Sequence, residues 1–224
     1  GYLRHVPDLI MMQPKDETEF VDMLHLMAGY DAGPTAIRYP RGPIAGKPIS
    51  PQRSHIEIGK AEVVADGTDI ALIGLGTMFE MAERTKAQLE AKGLSVALIN
   101  PRWIKPLDTA MLERYARRCR VICTLEDHVL HNGFGCGVIE HLHDAGLHTP
   151  VERLGWPDQF VEHATGADRS GILGKDHRFF GPEIGAAHRP LLLFKHRLVL
   201  FVECLFGDGQ ESVHEFARLA KRGV

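Results

Sequence analysis

The stretch Asp69-Ile-Ala-Leu-Ile-Gly-Leu-Gly-Thr77 decides the fold of this chain. Its first half is an apolar run typical of a strand, and helically spaced apolar residues follow it from Met78 to Leu89. A strand, a Gly-x-Gly turn and a helix in succession suit an anion bound by helix N-terminal amides. However, Phe79 stands where a dinucleotide-binding fingerprint has its third glycine, so a tight turn is the better interpretation.

Strands and helices continue to alternate after this unit. Strands are predicted at 94–99, 120–125 and 151–154, and helices at 108–117 and 133–145. Such alternation favours an α/β fold with a mainly parallel sheet.

A second apolar run, at 58–65, lies just before the central strand. Asp66 and Gly67 join the two, and an Asp-Gly pair between strands is a strong signal for a tight hairpin. We therefore expect the runs 58–65 and 69–74 to pair with each other and to add one antiparallel edge to the sheet.

The first forty residues read as strand, helix and strand. The strands are predicted at 9–12 and 35–39, and the helix between them ends near Tyr30. Asp16 and Glu19 have the spacing of a capping box at the start of this helix. Four prolines and two glycines at 40–51 then indicate an extended linker, which is the best candidate for a domain boundary.

Length and charge narrow the class of protein. At roughly 150 residues per domain, 224 residues amount to about one and a half domains. The formal net charge of −3 predicts neither a nucleic-acid partner nor an anionic membrane surface. Four scattered cysteines indicate a reducing, cytoplasmic setting. The apolar run at 191–206 is interrupted by charges and is too short for a membrane span, so a buried helix or strand is expected there.

Two arginines are candidates for binding a phosphate group. Arg38 lies at the carboxyl end of the strand predicted at 35–39, and Arg41 follows that strand. Ligands of open α/β sheets bind beyond the carboxyl ends of the strands. The guanidinium fork matches a phosphate with two hydrogen bonds. A surface salt bridge is the alternative interpretation of the same pattern.

Two further groups of polar residues have weaker signals. Glu126, Asp127 and His128 follow a predicted strand and suit either acid–base chemistry or a polar loop that caps the next helix. Histidines cluster between His128 and His148, but no spacing typical of a metal site is present, so we expect no metal ligand in this chain.

Taken in order, eight segments resemble the 1-deoxy-D-xylulose-5-phosphate synthases, thiamine diphosphate enzymes of the transketolase superfamily. The segments lie at 2–7, 12–19, 33–42, 74–77, 100–108, 125–130, 133–135 and 155–163. Arg-Tyr-Pro-Arg-Gly at 38–42 and Trp-Pro-Asp-Gln-Phe at 156–160 favour this family over the beta subunits of 2-oxoacid dehydrogenases. The resemblance covers residues 1–170 and points to the C-terminal portion of such an enzyme.

The resemblance implies a transferase reaction with two cofactors. Pyruvate would be decarboxylated on thiamine diphosphate, with Mg²⁺ bound beside it, and joined to glyceraldehyde 3-phosphate. The product would be 1-deoxy-D-xylulose 5-phosphate, a precursor of isoprenoids, thiamine and pyridoxal. Arg38 would hold the phosphate of the acceptor, and Arg41 is a second candidate for that role. A cytoplasmic homodimer without nucleic-acid or membrane partners is implied as well.

The same resemblance divides the chain into four parts. Residues 1–42 match the end of a pyrimidine-binding domain, 43–56 a linker and 57–170 a transketolase C-terminal α/β domain, while 171–224 form an atypical tail. The family's diphosphate, magnesium and aminopyrimidine-binding residues match no part of this sequence. We therefore assign no catalytic residue here and expect the chain to be inactive on its own.

Two other functions remain open at this point. The chain could be a beta-type subunit of a thiamine-dependent 2-oxoacid dehydrogenase or of a split synthase, completed by a separate polypeptide. It could also be a non-catalytic interaction module built on the same fold.

Overall fold

The apolar run at the centre of the sequence forms strand β4 (Ile70–Gly74), in which every residue is buried. The computed structural model describes residues 1–40, 48–156 and 158, all within the unit Gly1–Asp158. Their order is β1 (Ile10–Met12), α1 (Glu17–Ala28), β2 (Thr35–Ile37), β3 (Glu62–Ala65), β4, α2 (Met78–Glu90), β5 (Val96–Asn100), β6 (Trp103–Lys105), α3 (Thr109–Arg118), β7 (Val121–Val129), α4 (Phe134–Asp144) and β8 (Val151–Trp156). A short 3₁₀ helix, Tyr2–His5, precedes them.

Strand β4 lies in the middle of a five-stranded sheet with the order β3-β5-β4-β7-β8. It pairs in parallel with β5 and β7, and β7 pairs in parallel with β8. Ala71 and Ile73 pack in one core with α3 and α4, while α2 packs against β4 and β5. Ile70 and Leu72 are fully buried as well, so β4 shows a continuous rather than an alternating apolar pattern. The predicted α/β fold with a mainly parallel sheet is confirmed.

The predicted hairpin between 58–65 and 69–74 is wrong, although the sheet does have one antiparallel edge strand. Strand β3 pairs with β5 and not with β4. Gly67 passes so close to the start of β5 that a Cβ on it would overlap the backbone of Val96 and Ala97. Asp66 turns to helix α3 and accepts hydrogen bonds from the Tyr115 hydroxyl and the Arg118 guanidinium. With these contacts the chain crosses over β5 before β4 begins, so β5 lies between β3 and β4. An Asp-Gly pair in the sequence cannot show such a crossing.

The N-terminal segment forms a second, three-stranded sheet. Its order is β2-β1-β6, in which β1 and β2 are parallel and β6 runs antiparallel to β1. Strand β6 was not expected from the sequence, because prolines flank its three residues. Trp103 at its start is fully buried, and its Nε1 donates to the Lys60 carbonyl at 3.1 Å. A strand that follows β5 directly therefore completes the N-terminal sheet.

The capping box at the start of α1 forms in part. The Asp16 carboxylate accepts from the Glu19 amide at 2.8 Å, as predicted. The Glu19 carboxylate does not return to residue 16 but accepts from the Lys15 amide at 2.7 Å. It is only 4% exposed and also accepts from Arg102 Nε at 2.6 Å and Asn100 Nδ2 at 2.9 Å. Glu19 thereby joins α1 to the loop that links the two sheets.

Some sequence expectations fall outside the described residues. They include part of the proline-rich linker, Arg41, the run at 191–206 and the tail at 171–224. Across the described part of the chain, none of the helices has both the length and the apolar character that crossing a bilayer requires.

Acid should selectively weaken the Asp66 contact. The Tyr115 hydroxyl and then Arg118 lower the pKa of Asp66 from its ordinary 3.8 to about 2. Because the folded-state pKa is depressed, the contact stabilises the fold above the ordinary pKa and is lost as the pH falls through 2. Asp66→Asn should lower the free energy of unfolding at pH 7, and the difference from wild type should shrink towards pH 2.

Urea unfolding at several pH values measures this effect. Asp31→Asn, at an exposed aspartate in the α1–β2 loop, is the control and should leave the pH profile unchanged. A pH-independent difference between Asp66→Asn and wild type would contradict the assignment.

Candidate functional site

A cavity of about 500 Å³ opens where the N-terminal segment meets the five-stranded sheet. Its wall comes from the 3₁₀ helix, the carboxyl ends of β1 and β2, the residue after β4, the end of β7 and the start of α4. The polar side chains in that wall are Arg4, Gln13, Arg38, Glu126 and His128. Carboxyl ends of parallel strands therefore border the cavity, as in other open α/β sheets that bind ligands.

Arg38 reaches this cavity from the end of β2. Its backbone amide extends the parallel pairing by donating to the Met12 carbonyl at 2.9 Å, which fixes where the side chain starts. Its Nη2 donates to the main-chain carbonyl of Asp127 at 2.5 Å and lies 3.4 Å from the Asp127 carboxylate. The side chain is 39% exposed. Both interpretations of Arg38 thus apply in part, because it makes an ion pair and also lines a cavity.

Asp127 is held by a second donor. Trp156, at the end of β8, donates from Nε1 to Asp127 Oδ1 at 2.6 Å. Asp127 belongs to the same polar segment of the sequence as Glu126 and His128, but the structure places their side chains differently. Glu126 and His128 line the cavity, whereas Asp127 stands behind Arg38.

Glu126 is a buried carboxylate that caps helix α4. It is 1% exposed and accepts hydrogen bonds from the amides of Phe134, at 2.6 Å, and Gly135, at 3.0 Å. Burial raises the pKa of Glu126, and these two amides partly oppose that rise. The helix-cap interpretation is the one that fits this geometry, since the first-turn amides that could bind an outside anion already bind Glu126.

The glycines of Gly-Phe-Gly-Cys-Gly make room for the groups around α4. A Cβ on Gly133 would lie 2.1 Å from Glu126 Oε2, and one on Gly137 would lie 2.7 Å from Arg4 Nη2. Arg4 donates from Nη1 to the Gly133 carbonyl at 3.0 Å and from Nη2 to Glu140 at 2.6 Å. Arg4 was not a sequence candidate, because nothing in the sequence shows that the 3₁₀ helix docks on α4.

Two amides at the start of α2 donate to carbonyls of the turn between β4 and α2. The Met78 amide donates to the Leu75 carbonyl at 3.2 Å, and the Phe79 amide donates to the Gly76 carbonyl at 3.0 Å. Gly76 has a φ of +58°, a left-handed conformation that glycine adopts without strain. The geometry favours the tight turn over an anion site.

The described residues form no cluster of metal ligands. Within the residues that the structure describes, no three His, Cys, Asp or Glu side chains come together where they could hold an ion. No residue in the described part of the chain is therefore assigned to Mg²⁺.

Comparison with known proteins gives the family. The family model of the transketolase C-terminal domain matches residues 59–174, more than half of the chain. The chain belongs to the transketolase C-terminal domain family. This transketolase C-terminal domain carries α4 and its glycines, Glu126 and Asp127, whereas Arg38 precedes the matched range.

The curated relatives are synthases. The chain is 48% identical over 163 residues to a 1-deoxy-D-xylulose-5-phosphate synthase of Acidobacterium capsulatum, covering 73% of this chain and 26% of that protein. It is 40% identical over 191 residues to the synthase of Heliobacterium modesticaldum, covering 85% and 29%. The chain thus spans about a quarter of the length of the curated relatives it matches, and the matched part is their C-terminal portion.

A solved structure shares the fold. It is described as a split gene transketolase, inactive beta4 tetramer, and superposes with a TM-score of 0.68 at 24% identity. The match covers 87% of this chain and 58% of that one. The transketolase-like architecture predicted from the sequence is confirmed by this likeness and by the family match.

Gly133 should tolerate no side chain. Gly133→Ala would drive the Glu126 carboxylate off the α4 amides, and a buried group that loses its partners costs about 1–3 kcal/mol. We expect a loss of that size in the free energy of unfolding, measured by denaturant titration. Gly29→Ala is the control, because a Cβ there would meet only ordinary contacts at 3.7 Å. Equal losses in the two variants would contradict the role of Gly133.

Proposed function

We propose that this chain acts as the C-terminal portion of a thiamine diphosphate-dependent transferase that joins pyruvate to glyceraldehyde 3-phosphate to give 1-deoxy-D-xylulose 5-phosphate. The sequence identity to synthases over most of the chain supports the reaction. The single observation that carries the proposal is the Arg38 guanidinium in the cavity wall, where it would bind the phosphate of the acceptor.

The geometry of Arg38 suits a phosphate ester. Both of its side-chain contacts use Nη2, so Nε and Nη1 donate to no other described residue. These two nitrogens keep N–H donors that can reach phosphate oxygens, and guanidinium–phosphate hydrogen bonds are charge-assisted. A side chain that is 39% exposed is also open to a ligand from solvent. Arg41, our second candidate for the phosphate, lies outside the described residues.

The proposal keeps the division of the chain at 1–42, 43–56, 57–170 and 171–224. Thiamine diphosphate would act as the electron sink of the reaction. It and Mg²⁺ would be bound mainly by protein outside this chain, since the described residues supply no metal-binding cluster. We also propose a cytoplasmic homodimer, as the resemblance implies. In this scheme the chain contributes the acceptor's phosphate contact and the wall of the cavity.

A split enzyme is the second candidate. The structural neighbour is described as the product of a split gene and as an inactive tetramer of its beta chains. A chain of this fold can therefore exist as a separate polypeptide without activity. In that case a second polypeptide would complete the site, and co-purification with a thiamine-binding partner would support it.

Arg38→Ala should weaken phosphate-ester binding. Loss of a hydrogen-bonded pair with a charged group, about 1.5–3 kcal/mol, corresponds to roughly a tenfold or greater loss of affinity. Calorimetric titration of the 224-residue chain with glyceraldehyde 3-phosphate measures it. Arg118→Ala is a matched control, because Arg118 is also 39% exposed and paired with one aspartate, but on α3. Equal affinities of Arg38→Ala and wild type would contradict the assignment.

The chain alone should not turn over substrate. It spans about a quarter of the length of its relatives, and the resemblance assigns the cofactor-binding residues to protein outside this sequence. Purified chain, pyruvate, glyceraldehyde 3-phosphate, thiamine diphosphate and Mg²⁺ should give no 1-deoxy-D-xylulose 5-phosphate by mass spectrometry. A full-length synthase is the positive control, and turnover by the chain itself would overturn the proposed division.

A further inference from the structure

The polar side chains of the cavity wall differ in how much of their hydrogen-bonding capacity the protein already uses. Both carboxylate oxygens of Glu126 accept from backbone amides of α4, and Arg4 donates to a carbonyl and to a carboxylate. Gln13 Nε2 has no partner among the described residues, but it is buried. Arg38 and His128 are partly exposed, and each keeps a nitrogen that bonds to no other described residue. A ligand in the cavity can therefore reach these two side chains.

One nitrogen of the His128 ring is fixed by the backbone. Nδ1 lies 2.6 Å from the Val129 carbonyl oxygen, which is a hydrogen-bond distance. A carbonyl oxygen only accepts, so Nδ1 carries the hydrogen of this bond. In a neutral imidazole the other nitrogen is then an acceptor, and Nε2 bonds to no described residue. His128 therefore has an unused acceptor at the tip of its ring.

A single peptide bond places Arg38 next to His128. Arg38 Nη2 donates to the main-chain carbonyl of Asp127 at 2.5 Å, and this carbonyl belongs to the peptide bond between Asp127 and His128. With standard peptide dimensions, Nη2 lies within about 5.5 Å of the His128 Cα. The link uses the backbone alone and does not depend on the side chain at position 127. A ligand that Arg38 binds from the cavity therefore lies beside His128.

The two side chains have opposite hydrogen-bonding roles. The Arg38 guanidinium is cationic and only donates, which suits phosphate oxygens. His128 Nε2 accepts, and a fully ionised phosphate ester has no hydrogen to donate to it, whereas an alcohol hydroxyl has one. A ligand that satisfies both side chains carries a phosphate group and a hydroxyl group a few bonds apart. Glyceraldehyde 3-phosphate is such a molecule, because its hydroxyl is on the carbon next to the one that bears the phosphate.

We infer that His128 is a specificity-determining residue, whose Nε2 accepts a hydrogen bond from the hydroxyl group of a phosphate ester bound by Arg38 in the cavity. The inference rests on the proposed function, because it concerns the same ligand. It adds that strand β7 of the transketolase C-terminal domain recognises the hydroxyl group, while the N-terminal segment supplies the guanidinium.

Two ligands that differ in one hydroxyl group test the inference. Wild type should bind 2-hydroxypropyl phosphate about 2- to 10-fold more tightly than propyl phosphate, because the hydroxyl forms one additional hydrogen bond. Calorimetric titration of the 224-residue chain measures both affinities. At pH 8 an imidazole is mostly neutral and a phosphate monoester is fully ionised. Equal affinities, or tighter binding of propyl phosphate, would overturn the inference.

His128→Gln and His128→Asn are a matched pair of variants. A glutamine amide reaches about as far as Nε2 of the ring, and an asparagine amide about as far as Nδ1, and each amide oxygen can accept. His128→Gln should keep part of the preference for the hydroxyl ester. His128→Asn should lose that preference and still bind propyl phosphate as tightly as wild type. A preference that survives in His128→Asn would assign the effect to the Nδ1 bond with the backbone and refute the role of Nε2.

His128→Phe separates a hydroxyl contact from a phosphate contact. It removes both ring nitrogens and keeps an aromatic ring, so the two esters should bind equally, with the affinity that wild type has for propyl phosphate. Weaker binding of both esters by the same factor would mean that His128 contacts the phosphate, which contradicts the inference. His131→Ala is the control, because His131 is 76% exposed and not among the described residues of the cavity wall. It should leave both affinities unchanged, and circular dichroism checks the folding of every variant.

These outcomes separate the inference from the proposed function. If Arg38→Ala weakens the binding of both esters while wild type binds the two equally, the phosphate contact stands and the role of His128 fails. If wild type binds neither ester and does not bind glyceraldehyde 3-phosphate, the proposed function and the inference fail together.

Discussion

The burial of the Glu19 carboxylate is the constraint on which the rest of the structure depends. A charge that is 4% exposed costs on the order of several kcal/mol unless it is paired and hydrogen-bonded. Its partners come from two parts of the chain, namely the Lys15 amide before α1 and the side chains of Asn100 at the end of β5 and Arg102 just after it. These hydrogen bonds join the N-terminal segment to the five-stranded sheet.

Most groups around the cavity that could bind an anion already form hydrogen bonds within the protein. The Glu126 carboxylate accepts from the first amide of α4, and Arg4 donates to Glu140. In the β4–α2 turn, the Met78 and Phe79 amides donate to carbonyls of the turn itself. Arg38 differs from these groups because, among its guanidinium nitrogens, only Nη2 is engaged by described residues. Under the proposed function, phosphate binding would depend on the donors that remain on this one side chain.

Local signals predicted the elements well and their partners poorly. The strand at 69–74, the helix cap at Asp16 and the helix after Gly133 all appear where the sequence places them. The hairpin failed because Tyr115 and Arg118, about fifty positions away, redirect the turn at Asp66. Strand β6 went unrecognised because three residues between prolines carry no periodicity. Long-range contacts decided both cases.

The sequence by itself determined the α/β class, the ordered segments that resemble synthases, and Arg38 as the residue to examine. These follow from hydrophobic periodicity, turn chemistry and short motifs, all of which act over a few residues. Only the tertiary structure decided that Asp127 and Trp156 lie behind Arg38. The reason is physical: the parallel register of β7 and β8 and the docking of a separate sheet bring together residues that lie about thirty to ninety positions apart.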